Sequence, residues 1–349
     1  LPQEVTTAII KHLIVDQFGT HVGKHSGRLR VTRIKTNEKV AEAPLLHLDA
    51  VLIASRGVSI SADAVRECAE RGIPIFFLSG TGTPYASLYS SHLTGTIATR
   101  RAQLSAYEDG RGVVVARAIT LGKILNQVNV LRYLSKNRKD AEPEIFNSVQ
   151  ERVLALLDVA SELEHIEAER IEDIRDRILG AEGQAAQVYW QGIKQLLRQD
   201  LDWPGRRTRG ARDVFNQALN YGYGVLYGQV ERALVLAGLD PYAGFLHADR
   251  PGKPSLVLDL VEEFRQQVVD RPLVGLVNRK VSLQQEKEGR LGVKTRRTVA
   301  ERVLKRLEGQ VRYEGKRVGL RVVLQSQARH LATFLRGERE TYEPFVGSW

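Results

Sequence analysis

Short runs of alternating apolar and polar residues, broken by turn signals, fill residues 12–90. Period-two alternation predicts half-buried strands, and eight such runs stand out: HLIVD, GTHVGKH, GRLRVTRI, EKVAEAPL, DAVLIAS, VSIS, IPIFFLS and PYASLYS. One helix, SADAVRECAERG, interrupts them, with Ser61 as N-cap and Gly72 at its end. The GTG at 80–82 lacks a following Gly-Lys-Ser/Thr, so it reads as a hairpin turn and not a phosphate loop. Beyond residue 95 the period changes to that of a helix. Apolar stripes predict helices over 98–109, 112–138, 143–180, 183–199, 210–238, 255–270, 296–308 and 323–336. The expectation is an α+β protein, with a small β-sandwich-like domain at 1–92 and a larger all-α domain at 93–349. The join falls in SSHLTGTI, near 90–97.

Length agrees with this division, because 349 residues exceed what one ordinary core holds. No apolar run is long enough to span a membrane, and no stretch has the order of a secretory signal. A single cysteine, Cys68, rules out an internal disulfide and a cysteine-rich zinc cluster. Cytoplasm is the expected compartment. The chain contains no methionine and begins with Leu1, which is consistent with a segment of a longer polypeptide.

Charge sharpens the picture by its position. Residues 275–349 carry 17 Lys or Arg against 8 Glu and no Asp, a net +9 of the chain's +10. Such asymmetry suits a polyanionic partner, and a solvated basic surface is the plainer alternative. The polar, basic stretch 279–297 reads either as a loop that orders on a polyanion or as a surface connection.

Three stretches could carry chemistry. In GFLHADRPGKPSLVLDLVEEFR (244–265), Leu256, Leu260, Phe264 and Val268 form a buried stripe. Asp259, Glu262 and Gln266 share the opposite face, while His247 precedes the helix in a loop. Two carboxylates so placed are either an acidic surface near a helix start or ligands of a hard divalent cation. In GAEGQAAQVYW (180–190), Glu182 sits among small residues that allow close helix approach, with Tyr189 two turns on. In GRRTRGARDVFNQALNYGYGVLYGQVERAL (205–234), Arg206, Arg207, Arg209 and Arg212 precede a helix bearing Tyr221 and Tyr223. Arginine beside tyrosine suits phosphate and base contact, or plain helix packing.

The order EGQAAQVYW, FNQALNYGYGVL, GFLH…GKPSLVLDLVEEFR and the ending QSQARHLATFLRGERETYEPF resembles the CRISPR-associated endonuclease/integrase family, the catalytic subunit of spacer acquisition. The resemblance runs over nearly the whole chain. It implies a metal site of Glu182, His247 and Glu262 holding Mg²⁺ or Mn²⁺. Asp259 is then a second carboxylate, either a further ligand or the orienter of His247. It also matches family basic positions at Lys253 and Arg265, expected to contact DNA phosphate, and Arg206, Arg207, Arg209 and Tyr189 are the further DNA-contact candidates. The implied activity is 3′-hydroxyl attack on a phosphodiester, inserting short DNA into a repeat array. The implied partners are double-stranded and branched DNA, a second copy in a homodimer, and a small ferredoxin-like subunit. Some members are fused to a RecB-like nuclease. A transposon-encoded integrase of the same fold and an inactive DNA-binding scaffold are the alternative readings.

Overall fold

In a computed structural model the described residues are 10–90, 97–199, 201–286 and 289–348. The chain divides into two compact units, Leu1–Leu93 and Thr94–Trp349. The first nine residues and most of the expected join at 90–97 lie outside the described residues.

The first unit holds β1 (His12–Val15), β2 (Thr20–His25), β3 (Arg28–Arg33), β4 (Lys39–Pro44), β5 (Ala50–Ile53), β6 (Ser59–Ile60), α1 (Ala62–Glu70), β7 (Ile75–Leu78) and β8 (Pro84–Leu88). These make two four-stranded sheets, in the orders β1-β5-β7-β8 and β4-β3-β2-β6. Leu13 and Val15 of β1, Val22 of β2, Val31 of β3 and Ile53 of β5 join Ala64 and Cys68 of α1 in one apolar core. Strands β5 and β7 run parallel, and parallel neighbours need a crossover; α1 lies within it. Ser61 caps α1 by accepting from the Ala64 amide at 3.2 Å, and Gly72 takes the left-handed conformation just past the end (φ 65°). Burial lifts the Cys68 thiol to about 11, so this residue packs and does not react. Residues 79–83 turn the β7–β8 hairpin, as the absence of a Walker lysine indicated.

The second unit comprises α2 (Ile97–Ala106), α3 (Gly110–Ser135), α4 (Pro143–Glu164), α5 (Arg175–Leu196), α6 (Val214–Leu236), α7 (Ser255–Leu260), α8 (Arg271–Asn278), α9 (Val293–Glu308), the hairpin β9 (Gln310–Tyr313) and β10 (Lys316–Gly319), and α10 (Leu320–Leu335). No helix among the described residues is long and apolar enough to cross a membrane.

Three elements depart from the sequence pattern. The expected helix 143–180 breaks between α4 and α5, with a 3-10 turn at Ile171–Asp173. Its buried anchors Ile166 and Ile171 are five apart, a step that does not return to one side of a 3.6-residue helix. The expected helix 255–270 is α7, a 3-10 turn over Val261–Glu263 and a π-helical turn over Gln266–Asp270. The hairpin β9–β10 was not expected; Glu314 and Gly315 both take positive φ at its turn.

Helix α3 is buried around most of its circumference, as a helix at the centre of a bundle must be. It packs on α4 and α5, and its buried polar residues Lys123 and Asn126 have partners inside the unit. Asn126 donates to the carbonyls of Glu263 and Phe345 at 3.0 and 2.7 Å, and accepts from the Gly347 amide at 2.8 Å. The chain's final segment is thereby laid along α3. A Cβ on Gly122 would fall 2.5 Å from Pro344 Cβ, so glycine is what lets that segment approach.

Candidate metal centre

The stripe Leu256, Leu260, Phe264 and Val268 is fully buried, as its period required. Each such side chain contributes about 1.5–3 kcal/mol. The opposite face is buried as well: Asp259, Glu262, Glu263 and Gln266 are all at most 2% exposed. These acids are therefore no solvated helix start, and each needs a partner inside the protein.

Asp259 finds four. Its carboxylate accepts from the backbone amides of Phe245, Leu246 and His247 at 2.6, 3.0 and 2.9 Å, and from His247 Nδ1 at 2.8 Å. A carboxylate that already takes three amide protons can only accept from the ring, so Nδ1 carries the proton. Nε2 is left with its lone pair outward, the arrangement that readies a histidine for a metal. The loop needs Gly244 for this, because a Cβ there would lie 2.7 Å from the Ser255 carbonyl carbon and 2.9 Å from Asp259 Oδ2. Asp259 thus holds His247 through both its amide and its ring.

Glu182 projects from α5 toward α3, and Glu262 approaches from the 3-10 turn after α7. Between them stands Lys123, whose ammonium ion-pairs with Glu182 and lies 2.7 Å from Glu262 Oε2. Arg265 Nη1 is 2.8 Å from Glu262 Oε1. Burial opposes the charge on Glu262, yet Arg265 and Lys123, with His247 nearby, hold its carboxyl below the ordinary range. Burial likewise opposes the charge on Lys123, and Glu182 and Glu262 overcome it, raising its pKa.

The donor set fits a hard divalent ion: two carboxylates and one imidazole nitrogen. Glu262 Oε2 is buried and forms no hydrogen bond of good geometry, its close contact being the lysine. The three donors do not close to within 4.8 Å of one another, because the ammonium occupies the space between the acids. Sequence reasoning missed Lys123. A lysine inside the apolar pattern of α3 (ITLGKILNQVNVL) is the signal that could have found it, since a lysine is almost never buried without a carboxylate partner.

The expected DNA-contact residues fall into different settings. Arg207 and Arg209 are exposed, and Lys253 is half-buried in a loop. Arg206 is held by Asn216 and Asn220 at 3.2 and 2.7 Å, with its guanidinium against Trp190 and Tyr223. Two placements differ from a surface contact. Tyr189 is fully buried, donating to Asp270 Oδ2 at 3.0 Å, because it falls on the inward stripe of α5 with Ala185, Gly192 and Leu196. Arg265 is committed to Glu262, lies on the Tyr223 and Tyr227 rings and donates to Tyr227 Oη at 2.6 Å. A cavity of about 580 Å³ opens beside this cluster, lined by Lys123, Trp190, Lys194, Arg206, Arg265 and Asp270 among others.

A buried glutamate, a partly buried one across Lys123 and a carboxylate-backed histidine, with Arg265 beside them in a helical unit, are the equipment of an enzyme of phosphodiester chemistry. The comparison with known proteins narrows that class. The family described as CRISPR associated protein Cas1 matches residues 13–305, and the chain belongs to it. A CRISPR-associated endonuclease Cas1 of Archaeoglobus fulgidus is 38% identical over 97% of this chain and 99% of its own length. One from Francisella tularensis subsp. novicida is 32% identical over 97% of this chain and its whole length. The fold is shared with a casposase bound to integration product (TM-score 0.81, 24% identity, 96% of this chain and 93% of that one). It is shared also with a Cas1 protein from Thermotoga maritima (TM-score 0.70, 19% identity, 97% and 99%). In a Cas6-RT-Cas1–Cas2 complex the likeness covers 96% of this chain and 36% of that one (TM-score 0.74, 20% identity).

Proposed function

We propose that this chain is a metal-dependent DNA endonuclease and integrase that inserts short DNA fragments into a CRISPR repeat array. The observation that carries the reading is the juxtaposition of Glu182 and Glu262 across Lys123, with one buried oxygen of Glu262 lacking a hydrogen bond.

Glu182, Glu262 and Nε2 of His247 are the groups that would hold Mg²⁺ or Mn²⁺. Such an ion supplies Lewis acidity at the scissile phosphate and charge stabilisation at the departing 3′ oxygen. Everything else is done by this chain. Asp259 fixes the ring of His247 in one tautomer and one orientation. Arg265, itself fixed by Glu262 and two tyrosines, keeps positive charge beside the carboxylates. The basic residues of the last seventy-odd positions and Arg207 and Arg209 hold the DNA backbone. In integration the 3′-hydroxyl of the incoming strand forms a bond to phosphorus as the target strand's 3′ oxygen leaves. One phosphodiester is made for each one broken; water in place of the hydroxyl gives nicking. A repeat array is genomic DNA, so the reaction belongs in the cytoplasm.

We assign the β-rich unit to dimerisation and to contact with a small ferredoxin-like subunit. It keeps Phe18 and Leu46 at 77% and 79% exposure, side chains that a partner surface would cover. Branched DNA is the target geometry, and a fused or associated RecB-like nuclease is a compatible addition.

The test is half-site integration on branched repeat DNA with and without Mn²⁺, run beside thermal unfolding with and without the ion. Glu182→Ala, His247→Ala and Glu262→Ala should each abolish strand transfer, bind DNA in EDTA as wild type does, and lose the Mn²⁺-induced rise in Tm. A variant that keeps both integration and the Tm rise removes that residue from the ligand set.

A further inference from the structure

A second cleft, of about 420 Å³, opens between α3, α8 and α9 and shares no lining residue with the cavity beside the acid cluster. Six cations line it: Arg198, Arg271, Arg279, Arg302, Lys305 and Arg306. Among the described residues no aspartate or glutamate does. Three acids close in sequence to its lining residues have partners of their own. Glu301 pairs with Arg297 at 3.0 Å, Glu308 with Arg321 at 3.0 Å, and Asp270 takes the hydroxyls of Tyr189 and Tyr223.

Two of the cations, Arg271 and Arg306, are held in place by neutral groups. The Arg271 guanidinium lies 3.6 Å from the centre of the Tyr133 ring and donates to Gln267 Oε1 at 3.3 Å. Arg306 Nε donates to the Gln267 carbonyl at 3.1 Å. They repel one another: burial and then Arg271 lower Arg306 to about 10, and burial and then Arg279 lower Arg302. Guanidinium groups fixed on a ring and on amides, with mutual repulsion left standing, are arranged for an anion that arrives from outside.

We propose that this cleft binds the phosphodiester backbone of a nucleic-acid strand, as a site separate from the metal centre. The proposal rests on the reading of the chain as a DNA enzyme and adds where one strand is gripped. Tyr133 lies ten residues beyond Lys123 on α3, roughly 15 Å along the axis. A strand engaged at the acids would reach the cleft after about four nucleotides.

The experiment is fluorescence anisotropy of labelled DNA in EDTA over a salt series, with wild type and Arg279→Gln/Arg302→Gln. Both positions lie outside the metal centre. The double variant should lower the slope of log K against log salt by about one to two and weaken binding about three- to ten-fold near 0.15 M salt. Its Mn²⁺-induced rise in Tm should match wild type. Removing repelling charges should not lower Tm; Lys305→Glu, at an exposed position, is a second variant with the same expected direction. A parallel arm adds inorganic phosphate to each protein and follows Tm. A wild-type slope in both variants overturns the proposal, and the metal assays are unaffected by that result. A phosphate-induced rise that the double variant loses, with the DNA slope unchanged, overturns a nucleic-acid strand in favour of free phosphate. Absence of DNA binding by wild type overturns the cleft together with the proposed function.

Discussion

Lys123 and Asp259 show two ways of burying charge next to a reaction centre. Asp259 is satisfied by three amides and one imidazole, all from a single loop, so it is part of the scaffold. Lys123 is satisfied by the two glutamates that a metal would use, so it and the ion compete for the same oxygens. Removing one partner of a buried ion pair leaves the others uncompensated. Lys123→Met should therefore unfold more easily by about 3 kcal/mol in EDTA. Mn²⁺ should raise its Tm by more than it raises that of wild type. Urea and thermal unfolding with and without the ion measure both; equal metal responses in the two proteins would remove the competition. His247 and the stripe beside Glu262 were legible in the sequence. Lys123 was not singled out, because its partners lie 59 and 139 positions away and only the packing of α3 on α5 and on the turn after α7 joins them.

Among the elements, the segment 255–278 departs from α-helical form at two places, and Glu262, Glu263 and Asp270 sit in them. Glu262 and Glu263, adjacent in sequence, project in different directions in either helical form. With a 3-10 turn at 261–263, both are buried with separate partners. Glu263 belongs to the C-terminal segment: it accepts from Tyr342 Oη at 2.6 Å, the Phe345 amide at 2.8 Å and Gln327 Nε2 at 2.8 Å. Phe345 also stacks on Phe264 with ring centres 5.1 Å apart. Deleting residues 341–349 would leave Glu263 buried with one of three donors. It should cost roughly 3–6 kcal/mol and reduce metal response, because Glu262 is the neighbouring residue. Urea denaturation of the truncated chain checks this; a loss under about 1 kcal/mol would show that the segment merely covers the core. The period of the sequence marked this segment as one helix. The change of form depends on where α3 and the tail offer donors, which no local pattern contains.

For the whole molecule, buried carboxyls set a pH dependence of stability. Burial raises Asp270 to about 6 from 3.8, against the hydrogen bonds of Tyr223 and Tyr189, and raises Glu263 to about 7 from 4.5. In both, the folded state holds the proton more tightly than the unfolded chain does. Their contribution is complete below the unfolded values and is lost as pH rises through about 6 and about 7. For Asp270 the shift amounts to on the order of 3 kcal/mol. Stability should decline between pH 4 and 7 from these groups, and Asp270→Asn should flatten the part below pH 6. Urea midpoints across that range decide it: an unchanged slope in the variant would mean Asp270 is ionised throughout.

What the sequence determined by itself is what depends on neighbours along the chain. Period two against period 3.6 separates the β-rich residues from the helical ones, Ser61 and Gly72 bound α1, and the stripe from Leu256 to Val268 is buried as its spacing demands. Net charge concentrated after residue 275 pointed to a polyanion. The tertiary structure decided which acids face one another, that Asp259 bonds the ring of His247, that Lys123 stands between the glutamates, and that four of the late cations share one cleft with Arg198 and Arg271. The physical reason is range. Helix period and capping are fixed by contacts within a few residues, whereas a buried charge is settled by whichever side chain meets it across the core, and that meeting exists only once the helices have packed.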